Sequence, residues 1–567
     1  MAPLDLPSSR CAAVVVSFVF LFLYFSLFFE NGEVEANQRV FLYPQSPKVN
    51  SIVSKQYRTA YHFQPPKNWI NGPMYYKGIY HLFYQYNPNG SLWGNIIWGH
   101  SVSTDLINWI RLEPALDRTT PSDNNGCWSG SATILAPDSP VILYTGSDSS
   151  NRQVQNIAFP VNLTDPYLTK WTKPAYNPLI EPVGDLNSSE FRDPTTGWVG
   201  KDNLWRIAIG AELQGKGAAI LYKSKDFVHW VRAKDPLHSS SASGMWECPD
   251  FYPVVAEGDG SETKYVLKMS LTETGMDYYM LGKYEEERDA FVPDNAVDDY
   301  RLWARIDFGK FYASKSFFDP QKHRRILYGW SSESDSASDD VAKGWAGIHL
   351  LQWPIEEVES LRKDEVHLQD IDLNTGAVFE VKELKEASQA DVEAEFELYN
   401  LERAEPLDPN WLLDPQKLCE EQSASAPGGV GPFGLLLLAS DDLVEHTAVY
   451  FKVYRSQNSY MVLMCSDQRR SSSRPGLYKP AYGGFLDVDL QKERKISLRT
   501  LIDHSVIESF GGGGRGCITA RVYPEALCTG STYLHAFNNG STTVKILTLK
   551  AWNMRKAKIN ENISIRS

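Results

Sequence analysis

Cysteine, positive charge and long apolar runs are all scarce in this chain. Seven cysteines in 567 residues are too few for disulfides to form the main framework. None falls in a CxxC or Cys/His cluster with metal-ligand spacing, so no metal is expected; Cys419 and Cys465 are the one candidate bridge. Lysine and arginine number 56 against 70 acidic residues, a net charge of −14 with a pI near 5.4. That balance argues against nucleic acid or an anionic membrane surface as partner, because both would repel the chain. A neutral substrate fits better. Beyond residue 29 no segment could span a bilayer, and from about residue 55 to 365 helical periodicity is almost missing.

What is present fills that space with cores. Hydrophobic residues make up 43% and charged residues 22%, enough for two globular domains. The 16 Trp and 29 Tyr suit stacking against sugar rings as well as core packing. At the N-terminus Arg10, the apolar run from Ala12 to Phe29 and the small-residue site Val34-Glu35-Ala36 read as a signal peptide over 1–36. A signal anchor is the alternative reading of the same run. Glycosylation sequons at Asn89, Asn162, Asn187, Asn539 and Asn562 agree with export, each needing a surface position.

Short β-branched and aromatic runs separated by Gly, Pro, Asn and Asp give residues 55–365 an all-β signature. Within it a phrase recurs. His100-Ser-Val-Ser-Thr-Asp-Leu-Ile-Asn-Trp109 is echoed by Tyr222-Lys-Ser-Lys-Asp-Phe-Val-His-Trp230 and, more loosely, by Asn162-Leu-Thr-Asp-Pro-Tyr-Leu-Thr-Lys-Trp171, with the tryptophans about 60 residues apart. Radially repeated four-stranded blades produce such a period, and about five units fill the region. An N-terminal five-bladed β-propeller is therefore expected, a Trp-rich sandwich being the alternative. After a polar stretch near 360–390, short alternating strands such as Val449–Tyr454 and Tyr460–Met464 predict a C-terminal β-sandwich over 385–555.

Two acidic neighbourhoods in the propeller region draw attention, since glycoside cleavage needs two carboxylates flanking the bond. In Phe191-Arg192-Asp193-Pro194 the arginine is placed to hold Asp193 ionised. In Trp246-Glu247-Cys248-Pro249-Asp250 an aromatic and a weakly polar neighbour would raise the Glu247 pKa, as suits a general acid. Taken singly, each is more often a solvated or salt-bridged carboxylate than a catalytic one. Asp503 and Glu508 look like a further pair, but on one strand five residues apart they would point to opposite faces. Gly511 to Gly514 reads as a turn, not a phosphate cradle.

These motifs are also a family's motifs. Asn68-Trp69-Ile70-Asn71-Gly72-Pro73, Phe83-Tyr84-Gln85-Tyr86-Asn87-Pro88, Trp128-Ser129-Gly130-Ser131, Phe191 to Pro194 and Trp246 to Asp250 occur in the order found in plant cell-wall invertases and fructan exohydrolases. The chain thus resembles the secreted plant β-fructosidases of glycoside hydrolase family 32, whose members join a five-bladed propeller to a β-sandwich. The resemblance implies Glu247 as general acid/base and Asp193 as transition-state stabiliser. It places Asn71, Gln85, Trp93, Trp128, Ser129 and Arg192 around a fructose pocket. It further implies sucrose or fructan as substrate, no cofactor, and secretion to the apoplast or cell wall, with association with wall polysaccharide left open.

The chain departs from that pattern twice. Between Asn71 and Gly72 the family carries Asp-Pro-Asn, whose aspartate is the nucleophile, and those three residues are missing. Further on, Gly344-Trp345-Ala346-Gly347-Ile348-His349 runs directly into Leu350-Leu351-Gln352-Trp353-Pro354 where family members place about a dozen more residues, including a strand. Ser270-Leu271-Thr272-Glu273-Thr274-Gly275 stands where sucrose-cleaving relatives carry an Asp and a Lys, a loss that goes with cleavage of fructans from their ends. Three readings follow: a secreted β-fructosidase, an inactive fructan- or sucrose-binding relative, and a misannotated transcript with no stable product.

Overall fold

The computed structural model describes residues 56–64, 71–255, 262–351, 354–457, 459–530 and 532–559. The signal segment at 1–36 and the sequon at Asn562 fall outside them. Among the described residues no helix is long and apolar enough to cross a membrane. Five antiparallel sheets follow one another from Asn71 to Leu351. Their innermost strands are Asn71–Tyr76, Gly126–Leu135, Phe191–Arg192, Trp246–Val255 and Tyr312–Asp319. Contacts link each blade to the next and close the ring. Ser131 Oγ donates to the Pro194 carbonyl at 2.9 Å, Asp250 accepts from the Ser316 amide at 2.8 Å, and the Tyr80 hydroxyl of the first blade donates to Asp319 of the fifth at 2.9 Å.

The recurring phrase is one turn built repeatedly between the third and fourth strands of a blade. In the first blade Ser103 Oγ accepts the Leu106 amide and Asp105 Oδ1 accepts those of Ile107 and Asn108, while Leu106 turns left-handed (φ 63°). The Trp109 indole then closes the turn on the Leu106 carbonyl at 3.1 Å. Ser224, Asp226, Phe227 and Trp230 repeat every bond in the third blade. Aspartate recurs because its short carboxylate can cap two successive amides.

The fifth blade has three strands among the described residues, Tyr312–Asp319, Arg324–Ser331 and Ile348–Leu351, as the shortened sequence there leads one to expect. Its apolar side is nonetheless covered, since Ile355, Val358 and Leu361 pack with Phe317, Ile326 and Tyr328.

Two sheets form the sandwich, and their facing sides share one core that includes Phe396, Phe433, Phe451, Ile496, Ile518 and Ile546. The polar stretch near 360–390, expected to lie between the two regions, instead supplies two of the sandwich's strands. Arg362–Leu373 pairs with Val544–Met554 and Ala377–Glu380 with Tyr533–Asn538. The stretch reads as polar because these are outer strands with one wet face. Cys419 and Cys465 are bonded, their Cα atoms 5.8 Å apart, tying the helix Pro415–Glu421 to the strand Ser459–Asp467. Asn89, Asn162 and Asn187 are exposed, whereas Asn539 is half-buried with its amide donating to the Ala424 carbonyl at 2.7 Å.

Asp503 and Glu508 do not lie on one strand. A tight turn at His504–Ser505 separates Lys495–Asp503 from Val506–Gly511, and pairing of Leu501 with Glu508 puts both carboxylates on the same face. There they grip the chain just before the propeller. Asp503 accepts the backbone amides of Ala60, Tyr61 and His62 at 2.7–2.9 Å, and the His62 ring bridges Asp503 (2.9 Å) and Glu508 (2.5 Å). Burial lowers the His62 pKa, but the two carboxylates outweigh it and raise the value to about 9. The seam continues at Asp307, which accepts the Thr519 amide at 3.0 Å and hydroxyl at 2.7 Å. Glu333 adds a bidentate pair with Arg521 at 2.6 and 3.0 Å.

Candidate active site

At the axis the inner strands stop being regular. Register breaks fall between Asn71 and Met74, Cys127 and Gly130, Glu247 and Asp250, and Tyr312 and Lys315. The third blade contributes only Phe191–Arg192 before Asp193 turns left-handed (φ 69°). Cys248 (φ 45°) and Ala313 (φ 55°) share that conformation, which costs a non-glycine residue about 1–3 kcal/mol. A bulge re-aims the side chains around it, and here the bulged segments carry Trp128, Ser129 and Cys248 and directly follow Asn71 and Glu247.

Glu247 and Asp193 meet at this point. Arg192 donates to Glu247 Oε1 from Nε (2.9 Å) and Nη2 (2.8 Å), while the Tyr312 hydroxyl donates to Oε2. The Arg192 guanidinium is itself held by Gln153 Oε1 at 3.0 Å and the Ser189 carbonyl at 3.1 Å. Asp193 is 3% exposed, and its Oδ2 accepts the Cys248 amide at 2.9 Å and the thiol at 3.5 Å. Burial is the largest influence on the Asp193 pKa and raises it, Glu247 adds to the rise, and Arg192 and Lys315 oppose it.

Two details differ from the sequence expectation. The Arg192 guanidinium bonds to Glu247, not to Asp193, so the adjacent positive charge does not keep Asp193 at its ordinary value. Trp246 and Cys248 do not surround the Glu247 carboxyl, because alternation along the strand sends Trp246 to the other side and the register break at Cys248 (φ 45°) turns its thiol away. Trp246 is fully buried with its indole donating to Ser243 at 2.8 Å, and the Cys248 thiol turns to Asp193.

The rim is aromatic and polar. Trp93 is 48% exposed and meets the half-buried Trp128 edge to face with ring centroids 5.1 Å apart. Gln85 donates to Ser129 Oγ at 3.0 Å, and the Trp98 indole donates to the Trp128 carbonyl at 2.9 Å. Gly130 is required here because a Cβ would lie 2.0 Å from the Leu143 carbonyl oxygen. Glu273 accepts the Gly244 amide at 2.6 Å, close to Glu212, whose pKa is raised by burial and by Glu190 and Glu273. Asn71 opens the first blade's inner strand opposite Phe83, but its side chain lies outside the described residues. Gly72 (φ 33°) follows against the Trp98 indole, then Pro73, so the junction itself carries no carboxylate.

Gln153, Tyr312 and Lys315 were not singled out in the sequence. Tyr312 and Lys315 flank the break in the fifth blade's inner strand, the position that Glu247 and Asp250 hold in the fourth. Comparing blade with blade would have located them. Gln153 has no such marker.

The arrangement offers two carboxylates, an arginine clamp and stacking aromatics, the parts of a sugar-cleaving site. Comparison with known proteins agrees. The Glycosyl hydrolases family 32 N-terminal domain matches residues 62–363, and the Glycosyl hydrolases family 32 C terminal matches residues 357–553. A "Beta-fructofuranosidase, insoluble isoenzyme 4" of Oryza sativa subsp. japonica is 62% identical, the match covering 99% of each chain. That alignment runs over 587 positions against the 567 residues of this chain, 20 more than the chain can fill. "Fructan 1-exohydrolase w2" of Triticum aestivum is 58% identical over 93% of each. The crystal structure of fructan 1-exohydrolase IIa from Cichorium intybus superposes with a TM-score of 0.86 at 48% identity, covering 89% of this chain and 98% of that one.

Proposed function

The chain belongs to glycoside hydrolase family 32 and is a glycosidase by kinship, and from that premise we propose that it recognises the terminal fructose of sucrose or a fructan. The observation that carries the reading is the Arg192–Glu247–Tyr312 cluster beside Asp193, with Gln85, Ser129, Trp93 and Trp128 at its rim. In this reading Glu247 gives its proton to the glycosidic oxygen as the bond breaks and Asp193 holds the sugar's hydroxyls. Arg192 and Tyr312 keep the Glu247 carboxyl aimed at the bond. A retaining enzyme needs a second carboxyl roughly 5–5.5 Å from the first as nucleophile. The family's nucleophile is absent from this sequence between Asn71 and Gly72. The surplus of alignment positions over residues fits such a deletion. The chain as written therefore binds the fructosyl end but turns it over on the order of 10⁴-fold more slowly than a form with the three residues present. Replacement of the family's Asp and Lys by Thr272 to Gly275 supports fructan over sucrose. Secretion follows from the N-terminal segment and the exposed sequons.

The test is fructose release from sucrose, a β-2,1 fructan and a β-2,6 fructan by this chain and by one with Asp-Pro-Asn inserted after Asn71, both checked for folding by circular dichroism. Release by the inserted form alone is the expected result, with the preferred substrate naming the subtype. Release by the unmodified chain would refute the assignment of the missing nucleophile. Two folded but inert proteins that bind the sugar would favour the second reading, a binding relative.

A further inference from the structure

Beneath the carboxylates lie two lysines that the reaction scheme does not use. Lys268 is wholly buried and Lys315 is 2% exposed. Lys315 stands on the fifth blade's inner strand just past its register break, and among the described residues forms no hydrogen bond to a carboxylate. Its ammonium donates to three backbone carbonyls, those of Asp193 (3.2 Å), Pro194 (3.3 Å) and Pro249 (2.9 Å). Lys268 donates to the carbonyls of Cys248 (3.1 Å) and Ser314 (2.6 Å) and to Ser270 Oγ (3.0 Å), and is ion-paired to Asp277 at 3.2 Å. Asp277 in turn accepts the amides of Ala313 (3.1 Å) and Ser314 (2.9 Å).

These bonds end on the residues that leave ordinary backbone geometry. Asp193, Cys248 and Ala313 are the three left-handed non-glycine residues at the axis, and each has its carbonyl or amide, or those of its next neighbour, tied to Lys315, Lys268 or Asp277. A strained turn persists only where its surroundings over-determine it. Burying an ammonium also costs several kcal/mol unless its donors are satisfied, and the compact three-donor geometry of lysine suits three converging carbonyls. The charged groups facing Lys315 are Asp193, Asp250 and Lys268, with the neutral Cys248 thiol beside them, and Asp193 in turn faces Glu247 and Arg192. The third blade's turn at 192–194 and the fourth blade's turn at 247–250 are thus pinned to one cation.

We propose that Lys315, seconded by Lys268, is a positioning residue that fixes the distance and orientation between the Asp193-bearing and Glu247-bearing turns, and that its charge sets the acid side of sugar binding. The proposal rests on the functional reading above for its sugar readout, but not for its backbone readout. Lys315→Met removes the cation, and Lys315→Arg keeps the charge while replacing the compact ammonium by a planar fork.

Amide hydrogen exchange of the whole chain is measured first, for segments containing Cys248 and Asp193 and, as reference, for the sandwich strand Thr447–Ser456. Both variants are expected to exchange at least about tenfold faster at the axis with the reference unchanged. Then 1-kestose binding is followed by calorimetry across pH. Affinity should fall about tenfold or more in both variants. The acid limb should move up by about one pH unit in Lys315→Met, where Asp193 loses a neighbouring cation, and stay in place in Lys315→Arg. Unchanged exchange in a folded variant overturns the proposal, and so does an acid limb that moves equally in both. If Lys315→Met does not fold, the exchange of Lys315→Arg decides alone. Failure of the parent chain to bind 1-kestose counts against the functional reading and leaves the exchange result standing.

Discussion

The inner strands of the propeller and the strands Lys495–Asp503, Val506–Gly511 and Gly516–Arg521 of the sandwich are built by opposite rules. The three sandwich strands run in unbroken register, Leu498 to Asp503 against Gly511 to Val506 and on to Gly516 to Arg521. Four of the five inner strands break register where they reach the axis. Regular pairing satisfies every backbone group but sends alternate side chains to opposite faces. It can build a core, and it cannot bring Glu247 and Asp193 from neighbouring blades onto one point. Between these two sets of strands the difference teaches that kept register builds core, while register broken at the axis turns side chains of neighbouring blades toward one another; breaks elsewhere in the sandwich, as between Val430 and Phe433, carry no such cluster.

The sharpest way to break the comparison is Glu247→Gln in the form carrying the inserted Asp-Pro-Asn. Fructose release should fall about 10²–10⁴-fold while thermal unfolding is unchanged, and a large loss of stability would show that the axis also bears structural load. Next comes His62→Ala, which leaves Glu508 buried without its cation and Asp503 with His504 as its remaining ring partner. It should lower unfolding free energy by about 3–5 kcal/mol in chemical denaturation with little effect on sugar binding. The same clamp predicts a pH dependence. With the folded His62 pKa raised to about 9 from 6.5, its contribution is full below pH 6.5 and is lost as pH rises through 9. A melting temperature independent of pH over that window would refute it. Cutting the 46-residue span between Cys419 and Cys465 by a double substitution to serine should cost about 2–4 kcal/mol in chemical denaturation and spare the axis. Smallest is Trp93→Ala, which should weaken sugar binding by about 1 kcal/mol, within the range for an exposed aromatic contact, and leave the melt unaltered.

The all-β class and the propeller repeat were legible because each is local. Ser103-Thr-Asp105 and Ser224-Lys-Asp226 announce their turn by spacing alone, and the motifs around Trp128, Arg192 and Glu247 are contiguous. What could not be read was whatever depends on two distant segments. The partner of Arg192 is 55 residues away, the lysine under Asp193 is 122 away, and the strands at 362–380 looked like a linker because their apolar neighbours come from the far end of the chain. Asp503 and Glu508 were misread for a smaller reason, a two-residue turn hidden in what looked like one strand.

The seam described at His62 has a consequence for the order in which the molecule is made. Ala60 is bonded to Asp503 across 443 residues, the Ala557 amide to the Ala60 carbonyl, and the Trp109 amide of the first blade to the Lys558 carbonyl. A ribosome delivers residues 60 and 109 long before residues 503 and 557–558 exist to receive them. The blades can form as they emerge, but the first keeps its clasp open until residues 557–558 have been made and have left the ribosome. Truncation near residue 550 should therefore damage the opposite end of the polypeptide, the start of the propeller, more than the blades between.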